Sequence, residues 1–471
     1  MIKKYERYDD RITGKIIIRA DIVNKSPLLV GKGEGETDTD MLLWDDGRPY
    51  IPASSFAGVV SGFYTRNLPW QPQVAYTTDK EKRLCRQVLG KEGDKSPQGK
   101  SEEKNETVNY QSHIIFEDLL PDENAKNKIS FRDGVRIDHK TNIAVNKGKY
   151  DYQLVEPVVN FKLKAEITIR DGMDKDTVLK LAATIPSIIG CRYFRVGRLG
   201  AAGFGEMKCE KFDIHYFDFA GDKNAAGDWF DFLDDENKLP AATTNIAAYP
   251  LKHPETFSIT ATFKLKSALI TGSYSVDKGQ PDKSQLKCNN KFVLSGKSIR
   301  GALRHRAEKI VNTLTINQPE LVKDWMGYVD NEKQVEKTRR SRLKTAESDL
   351  SEFDAMTQQR IRIDRFTGGV ISGALFDSAP VWQKNSSTFE ISLQTVNPSS
   401  AEKALLMHLL KDLWTEDLAI GGEKNVGRGV LVGQKATIIE NDTRLAIIEK
   451  DSENTIKFTE GDFNKFNDWK F

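Results

Sequence analysis

The sequence predicts an α+β protein with two tandem domains, each built on a ferredoxin-like core that carries a large inserted hairpin excursion. Three observations predict this fold. A heptapeptide occurs twice in the 471-residue chain, two further pairs of motifs flank its copies in the same order, and each half alternates strand-like and helix-like segments in one order. Two similar domains of roughly 200 residues each therefore account for most of the chain.

The repeated heptapeptide is VRIDHKT at 135–141 and IRIDRFT at 361–367. The copies are 226 residues apart, counted from 135 to 361, and the register holds without a gap to Asp151 and Asp377. Agreement over this length indicates a duplication. We therefore expect a site on this segment to occur twice.

Two more pairs of motifs bracket the heptapeptides. Upstream, YIPASSFAG at 50–58 matches VLSGKSIRG at 293–301. Downstream, GRLGAAGFG at 197–205 matches GGEKNVGRG at 421–429. Three ordered matches indicate two homologous domains, and a repeated site along a repetitive ligand becomes the leading functional hypothesis.

Each half has the element order strand, helix, long excursion, strand, helix, strand, which is that of a ferredoxin-like core with an insertion. Near-alternation of β-branched residues predicts the strands, at 15–23, 161–169 and 206–216 in the first half and at 257–265, 388–395 and 430–439 in the second. Helical spacing predicts the helices, at 56–67, 177–189, 299–314 and 401–413.

These elements divide the chain into a first domain (1–216), an acidic and polar linker (217–254), a second domain (255–440) and a C-terminal tail (441–471). The linker is rich in Asp, Ala, Asn and Pro, which makes it too polar for a core of its own. We expect Trp469 and Phe471 of the tail to dock on the protein.

Composition excludes several classes of protein. With 38% hydrophobic and 29% charged residues the chain is globular. No apolar run approaches the roughly 20 residues that span a bilayer, and the first residues lack the apolar stretch of a signal peptide. We expect a cytoplasmic protein without a membrane partner. The scattered cysteines indicate reduced thiols and no zinc site, at Cys85, Cys191, Cys209 and Cys288.

The glycine-rich segments favour binding to a phosphate backbone. Bare glycine backbone lets N–H groups approach phosphate oxygens, and neighbouring cations supply charge. The residues concerned are Gly197, Arg198, Gly200 and Gly203 in the first copy and Gly421, Gly422, Lys424, Gly427 and Arg428 in the second. A tight helix-to-strand turn is the alternative explanation. Neither copy is a Walker loop or a dinucleotide fingerprint, because the glycines follow a helix.

The serine-containing motifs place hydroxyl groups at two predicted helix starts. Ser54 and Ser55 lie in the first copy, and Lys297 and Ser298 lie in the second. Free N–H groups and the helix dipole favour an anion at such a position. Plain N-capping, with Ser54 and Ser298 as the cap residues, is the simpler explanation of the same pattern.

Further cations extend these sites. The net charge is only +2, but the charges are unevenly distributed. Arg300 and Arg304 are four residues apart on one helix face and would enlarge the second site. The first copy has no equivalent cation, so we expect it to bind less strongly. Arg136 and Arg362 of the repeated heptapeptides are further candidates for RNA binding.

Acidic residues precede each serine motif. These are Asp38 and Asp40 in the first copy and Asp282 in the second. A carboxylate beside a phosphate site can hold a divalent metal ion or position a 2′-hydroxyl for attack on its own phosphate. A solvated loop carboxylate is the alternative explanation.

Together, the Pro-x-Ser-Ser-x-x-Gly segment, the Val-Arg-Ile-Asp excursion and the late glycine segment resemble the repeat-associated mysterious protein (RAMP) superfamily. The resemblance covers roughly 12–216 and 256–440. Within the superfamily, the chain is most similar to the backbone subunits of type III CRISPR effector complexes. The segment from RFTGG to GALFD at 365–377 favours a tandem, type III-D-like subunit.

The resemblance implies that a ferredoxin-like (RRM-like) palm in each domain grips guide (CRISPR) RNA in an antiviral effector complex, with other subunits of that complex as partners. It implies hairpin thumbs, at 138–155 and 364–381, that separate guide–target base pairs. It also implies metal-dependent endoribonuclease cleavage of the target RNA, with magnesium or manganese. That role falls on Asp38 or Asp40, and on Asp282.

Two alternatives remain. The chain could be a non-catalytic, structural RNA-binding subunit of the same complex. It could also be a guide-processing endoribonuclease, which would usually need a histidine near the glycine segment or the first helix. His305 is the one histidine so placed, and it occurs in one copy only.

Overall fold

The structure is a computed structural model of the 471-residue chain. It describes residues 11–33, 37–66, 71–90, 111–138, 141, 143–274, 280–314, 318, 320–328, 339–450, 456–461, 466 and 469. The chain is of mixed α+β type, and each half has its own antiparallel sheet, with helices that pack against it.

In the first half, the strand Ile12–Asn24 is central. It pairs antiparallel with Met207–Asp218 on one side and with Asn160–Arg170 on the other. The shorter strands Ile114–Phe116 and Leu120–Pro121 pair with the outer side of Asn160–Arg170. The helices of this half are Ala53–Thr65, Asp79–Val88 and Lys175–Gly190.

The second half repeats this arrangement. Its central strand Thr256–Leu265 pairs antiparallel with Leu431–Glu440 and with Phe389–Val396. Leu343–Thr345 pairs with the outer side of Phe389–Val396. The helices of this half are Gly296–Thr313, Leu321–Met326 and Ser400–Trp414. The sheet order is therefore the same in both halves, with the last long strand beside the first.

Alternation of side chains explains why each sheet buries one face. In Phe389–Val396, the residues Phe389, Ile391 and Leu393 are buried, whereas Glu390 and Ser392 between them are exposed. Successive side chains of a strand point to opposite faces, so this pattern directs one face to the helices. Each half consequently has a separate apolar cluster.

Helix starts follow their capping residues. Asp174 accepts a hydrogen bond from the backbone N–H of Thr177, and Ser399 forms a capping box with Glu402. All six strands and all four helices that the sequence predicts are confirmed, with ends that differ by a few residues.

Between the sheet strands, each half projects a two-stranded hairpin. The first hairpin joins Ile129–Ile137 to Ala144–Val155, and the second joins Gln358–Ile363 to Val370–Ala379. Both begin earlier in the chain than the thumb ranges predicted from the sequence, 138–155 and 364–381, which contain only the tip and the returning strand. The first three residues of each heptapeptide end the outgoing strand. A range that begins at the aspartate of the heptapeptide therefore leaves that strand out.

The segment 217–254 is more ordered than its polar composition predicts. Its helix Ala225–Asp234 packs Trp229 and Phe232 against Phe217, with ring centroids 5.1 and 5.8 Å from that ring. Five aromatic and apolar side chains of this segment pack with Ile17 in a small cluster on the outer face of the first sheet.

Within the tail, strands Thr443–Lys450 and Ile456–Gly461 widen the second sheet. The ring of Trp469 lies 5.1 Å from that of Phe257, so this part of the tail docks as expected. Phe471 lies outside the described residues. Short strands complete the structure, at Gly31–Gly33, Asp40–Met41, Gln73–Val74, Leu251–Lys252, Ala268–Leu269, Gly272–Tyr274, Lys283–Gln285, Lys287–Cys288, Lys291–Leu294, Ser348–Asp349, Phe353–Ala355 and Val381–Gln383.

Candidate nucleic-acid interface

The first acidic loop is fastened to the first hairpin by Asp38 and Asp151. The backbone N–H of Asp38 donates to Oδ1 of Asp151 at 2.9 Å, and the backbone N–H of Asp151 donates to Oδ2 of Asp38 at 2.9 Å. Asp38 is exposed and Asp151 is half-buried. Within the described part of the chain, the second oxygen of each carboxylate makes no hydrogen bond.

The second half contains the same arrangement. The backbone N–H of Asp282 donates to Oδ1 of Asp377 at 2.7 Å, and that of Asp377 donates to Oδ2 of Asp282 at 3.1 Å. Asp377 occupies the position of Asp151 in the repeated register. Asp282 is therefore the structural counterpart of Asp38, and the duplication extends to individual hydrogen bonds.

Asp40 has a different position from Asp38. It is buried, and its Oδ1 accepts hydrogen bonds from the backbone N–H and the hydroxyl of Thr37, at 2.9 and 2.8 Å. Lys32 Nζ lies 3.5 Å from the other oxygen. Asp40 therefore stabilises the conformation of its own loop. The sequence alone does not distinguish its role from that of Asp38.

A cation lies beside each aspartate pair. Arg198 is exposed, and its Nη1 donates to the hydroxyl of Thr39, the neighbour of Asp38, at 3.5 Å. The counterpart of Arg198 in the second copy is Gly422. In the second copy, Lys283 lies where a side chain at position 422 would project, because a Cβ on Gly422 would be 2.6 Å from Lys283 Nζ. Burial lowers the pKa of Lys283, and Glu423 partly offsets that effect.

The two serine helices, Ala53–Thr65 and Gly296–Thr313, begin before the serines that the sequence indicated as caps. The N-cap residues are Pro52 and Ser295, so the prediction of Ser54 and Ser298 as caps is wrong. The hydroxyl of Ser295 accepts the N–H of Lys297 at 3.3 Å. Ser54 is exposed within the first turn, where its hydroxyl is available to a ligand.

An acidic side chain already occupies the start of the first serine helix. The backbone N–H of Ala53 donates to Oδ1 of Asp118 at 2.7 Å. A carboxylate at a helix N-terminus repels a second anion there. Asp118 is thus a reason to expect weaker anion binding at the first copy, and that expectation stays a prediction.

Backbone geometry explains most of the glycines. Gly197 and Gly203 have φ of +79° and +94°, and their counterparts Gly421 and Gly427 have +94° and +80°. L-residues rarely adopt such values, so the tight-turn explanation accounts for these four positions. Gly200 and Gly422 have ordinary φ values. A Cβ on Gly427 would meet no atom of the described chain within 4 Å, which leaves that turn open to a ligand.

Four predicted RNA-binding cations are engaged within the protein. Arg428 is 3% exposed and lies 2.7 Å from Glu423. Arg300 and Arg304 donate to the carbonyls of Met326 and Gly327, at the end of the helix Leu321–Met326. Their positive charges therefore stabilise a helix C-terminus.

Lys297 is the fourth of these cations. Its Nζ lies 4.3 Å from the ring centroids of both Tyr150 and Tyr152, in the first hairpin. Burial, with Arg132 nearby, lowers the pKa of Lys297 to about 8. Lys297 therefore joins the two halves.

The remaining cations are accessible. Arg136 and Arg362 are exposed at matching positions of the two hairpins. Lys424 is exposed on the second glycine loop, as Arg198 is on the first. The side chains of these four residues are therefore accessible to the phosphate groups of a bound nucleic acid.

The first glycine loop (197–205) and the second serine helix meet at the junction of the halves. Thr345 joins them, because its hydroxyl reaches the carbonyls of Gly296 and Ala201 at 2.9 and 3.4 Å. A Cβ on Gly296 would lie 2.2 Å from the Ala202 carbonyl oxygen. The two motifs therefore pack directly against each other across the junction of the halves.

Sequence reasoning missed the hairpin partners Asp151 and Asp377. The repeated register contained a signal for both, because each is the last residue of the gapless match. It also missed Glu423, which replaces Leu199 of the first copy and contacts both Arg360 and Arg428. Nothing in a single sequence indicates that Glu423 would pair with Arg428, which the sequence predicts to bind RNA.

Each aspartate pair offers two carboxylates to a divalent ion. Magnesium is commonly held by one or two carboxylates, together with waters and substrate phosphates. Both pairs have carboxylate ligands of the kind that such a role uses. Among the residues that the structure describes, no group of three or more His, Cys, Asp or Glu side chains is arranged to hold a metal. His305 is half-buried within the second serine helix.

Comparison with known families agrees with this duplicated architecture. The family model of the RAMP superfamily matches residues 21–208 and again residues 262–432. These two regions cover more than half of the chain, which therefore belongs to the RAMP superfamily. Proteins of this superfamily are generally CRISPR-associated and bind RNA. A search of curated proteins found no significant match.

No helix in the described ranges combines the length and the apolar character that crossing a membrane requires.

Proposed function

We propose that this chain is a guide-RNA-binding backbone subunit of a type III, III-D-like CRISPR effector complex. Each matched region would be one ferredoxin-like, RRM-like domain. The shared strand order, with Ile12–Asn24 and Thr256–Leu265 central in their sheets, supports that assignment. The partners would be guide RNA, target RNA and other subunits of the complex.

The observation that carries this proposal is the doubled aspartate pair at the base of a doubled hairpin. Asp38 with Asp151 and Asp282 with Asp377 share the same two hydrogen bonds. If each half acts on the RNA at a regular interval, both copies need the same arrangement of aspartates. A solvated loop carboxylate would not need an identical partner in each half.

The hairpins support a role in opening the guide–target duplex. Val135 and Ile361 are exposed at matching positions, as are Ile137 and Ile363. Phe366 at the second tip is almost fully exposed. Apolar side chains that project from a rigid hairpin can stack against a base step or separate it.

For the catalytic part, we propose cleavage of the paired target RNA at Asp38 and Asp282. The free carboxylate oxygen accepts the proton of the 2′-hydroxyl, and the 2′-oxygen attacks its own phosphorus. The bond to the 5′-oxygen breaks, which leaves a 2′,3′-cyclic phosphate and, after protonation by water, a 5′-hydroxyl. A bound magnesium or manganese ion would supply charge stabilisation to the phosphate.

Sequencing of the RNA that co-purifies with the chain from its native host tests the proposal. We expect RNAs that contain CRISPR repeats, and we expect the bound RNA to dissociate as salt increases, because the contacts are mostly to phosphate. RNA of unrelated sequence only, or none, would contradict the guide-binding function. Cutting of precursor guide RNA by the isolated chain would favour the guide-processing alternative.

A further inference from the structure

A second cluster of cations lies between the two halves, in a cleft on the other side of Leu343–Thr345 from the glycine loop. Thr345 points towards the glycine loop, and Lys344 points to the opposite face because successive side chains alternate. The cleft is lined by Gln71 and Tyr193 from the first half and by Arg340, Arg342, Lys344 and Val396 from the second.

Lys344 is fixed at the wall of this cleft. Its Nζ lies 4.2 Å from the ring centroid of Tyr193, which is itself 6% exposed. This contact crosses from one half to the other. A cation held over an aromatic face is oriented by the ring, and the ammonium form of Lys344 can attract an anion.

The positive charge of the cleft is only partly neutralised. Arg342 is paired with Glu402, Arg195 with Glu206, and Arg192 with Asp442. These three carboxylates are each engaged by an arginine.

Arg340 and Lys344 differ from those arginines. Among the described residues, neither has a carboxylate within ion-pair distance. Burial, together with Arg195 and Arg340, lowers the pKa of Lys344 to about 7. Two neighbouring cations without a carboxylate partner are unfavourable in a half-buried cleft, and an anion bound between them would stabilise both in their charged forms.

We propose that one phosphate group of single-stranded RNA binds at the mouth of this cleft, with an oxygen directed between Arg340 at the mouth and Lys344 on the wall. The inference rests on the proposed RNA-binding function and adds a contact outside the glycine and serine motifs. RNA phosphate fits better than an acidic protein side chain because the chain belongs to an RNA-binding superfamily. A phosphate bound here contacts both halves and therefore tightens their junction.

The test is binding of fluorescein-labelled oligouridylate to the full chain by fluorescence anisotropy over a range of salt concentrations. We expect Lys344→Ala and Arg340→Ala each to weaken binding roughly 3- to 10-fold and to reduce the salt slope by about 0.7. Lys344→Arg should retain binding. Lys435→Ala is the matched control, since Lys435 is half-exposed in the second sheet and paired with Glu449 at 2.5 Å.

Several outcomes would overturn the inference while the proposed function stands. One is salt-sensitive wild-type binding that neither substitution changes. Another is unchanged RNA binding with loss of a co-purifying subunit, which would assign the cleft to an acidic protein. Saturation of the cleft by inorganic phosphate without any effect on RNA binding would show a free-anion site only. If the wild-type chain does not bind the oligouridylate, that result contradicts the proposed RNA-binding function itself.

Discussion

Arg132 of the first hairpin and Glu347 of the second half form an ion pair at 2.5 Å, with the arginine side chain 1% exposed. The guanidinium carbon lies 5.6 Å from the ring centroid of Phe204, in the first glycine loop. The pair therefore connects the hairpin of one half, the loop of the same half and the body of the other. It fixes the relative position of two repeated sites.

The first prediction concerns this ion pair. Glu347→Gln leaves the buried Arg132 charge without its carboxylate, so we expect a loss of about 3–5 kcal/mol in the free energy of unfolding. The double variant Arg132→Met with Glu347→Leu should restore most of that loss. Urea denaturation measures both. A loss below about 1 kcal/mol in Glu347→Gln would mean that the pair is solvated rather than structural.

The second prediction separates the turn from the ligand-facing part of the second glycine loop. Gly429→Ala combines a φ of +76° with a Cβ only 1.8 Å from the Ile420 carbonyl oxygen. Gly427→Ala is the matched control, because its φ is +80° but its Cβ meets nothing. We expect about 1 kcal/mol of destabilisation for Gly427→Ala and several times more for Gly429→Ala.

Circular dichroism during thermal unfolding compares these two glycine variants. Equal melting temperatures would contradict the packing described for this loop. A folded Gly427→Ala variant then becomes useful for RNA-binding measurements, since its methyl group would occupy the open side of the turn.

The third prediction distinguishes accessible from internal cations. Arg198→Ala should weaken RNA binding and reduce the salt slope by about 0.7, with an unchanged melting temperature, because Arg198 is exposed. Arg428→Met should lower the melting temperature, since it leaves Glu423 with fewer partners. Anisotropy and thermal unfolding of both variants check this. A purely RNA-binding defect in Arg428→Met would show that Arg428 leaves its internal partner to reach RNA.

The fold was largely predictable from the sequence, because duplication and side-chain alternation are local signals. The strand Asn160–Arg170 and its counterpart Phe389–Val396 are visible in the pattern of apolar residues alone. The helix Ala225–Asp234 was not predicted, because its stability comes from Trp229 and Phe232 packing on Phe217 and Ile17 of the first sheet. Tertiary contacts of that kind leave little trace in local composition.

The candidate site was predicted less completely. The aspartates before the serine motif were identified, but their partners Asp151 and Asp377 become visible only when the hairpin folds back on the loop. Arg428 looked like a phosphate ligand because its charge is evident and its burial is not. Sequence reveals which groups exist, whereas burial and pairing decide which remain free.

The fourth prediction is a pH dependence. The pKa of Lys344 is about 7 in the folded protein and about 10.4 when unfolded, so the unfolded chain binds more protons between these values. Lys344 therefore opposes folding fully below pH 7, and this effect declines as pH increases towards 10. The positive charges of Arg195, Arg340 and Arg192 contribute to the lowered pKa of Lys344, and Tyr193, whose pKa burial raises to about 12, stays neutral over this range.

The measurement compares wild type with Lys344→Met, without RNA. We expect the variant to gain stability over wild type most clearly near pH 6 and to lose this advantage near pH 10. Urea denaturation at intervals across this range gives the difference in the free energy of unfolding. A difference that does not vary with pH would mean that the ammonium is fully hydrated in the folded protein.

The last prediction concerns the two aspartate pairs. Asn at position 38 or 282 keeps an oxygen that accepts the N–H of Asp151 or Asp377, so the loop is preserved while the negative charge is lost. In assembled complexes with magnesium, we expect Asp38→Asn to remove one target cut and Asp282→Asn to remove another. Asp45→Asn, an exposed aspartate outside the pair, is the control.

The most direct test of the account is therefore a nucleotide-resolution map of target RNA cleavage by wild-type, Asp38→Asn, Asp282→Asn and doubly substituted complexes. The account predicts two cuts at a fixed spacing, the loss of one in each single variant and the loss of both in the double variant. Chelation of the metal should abolish both. Unchanged cuts in the double variant would contradict it and leave the chain as a non-catalytic RNA-binding subunit.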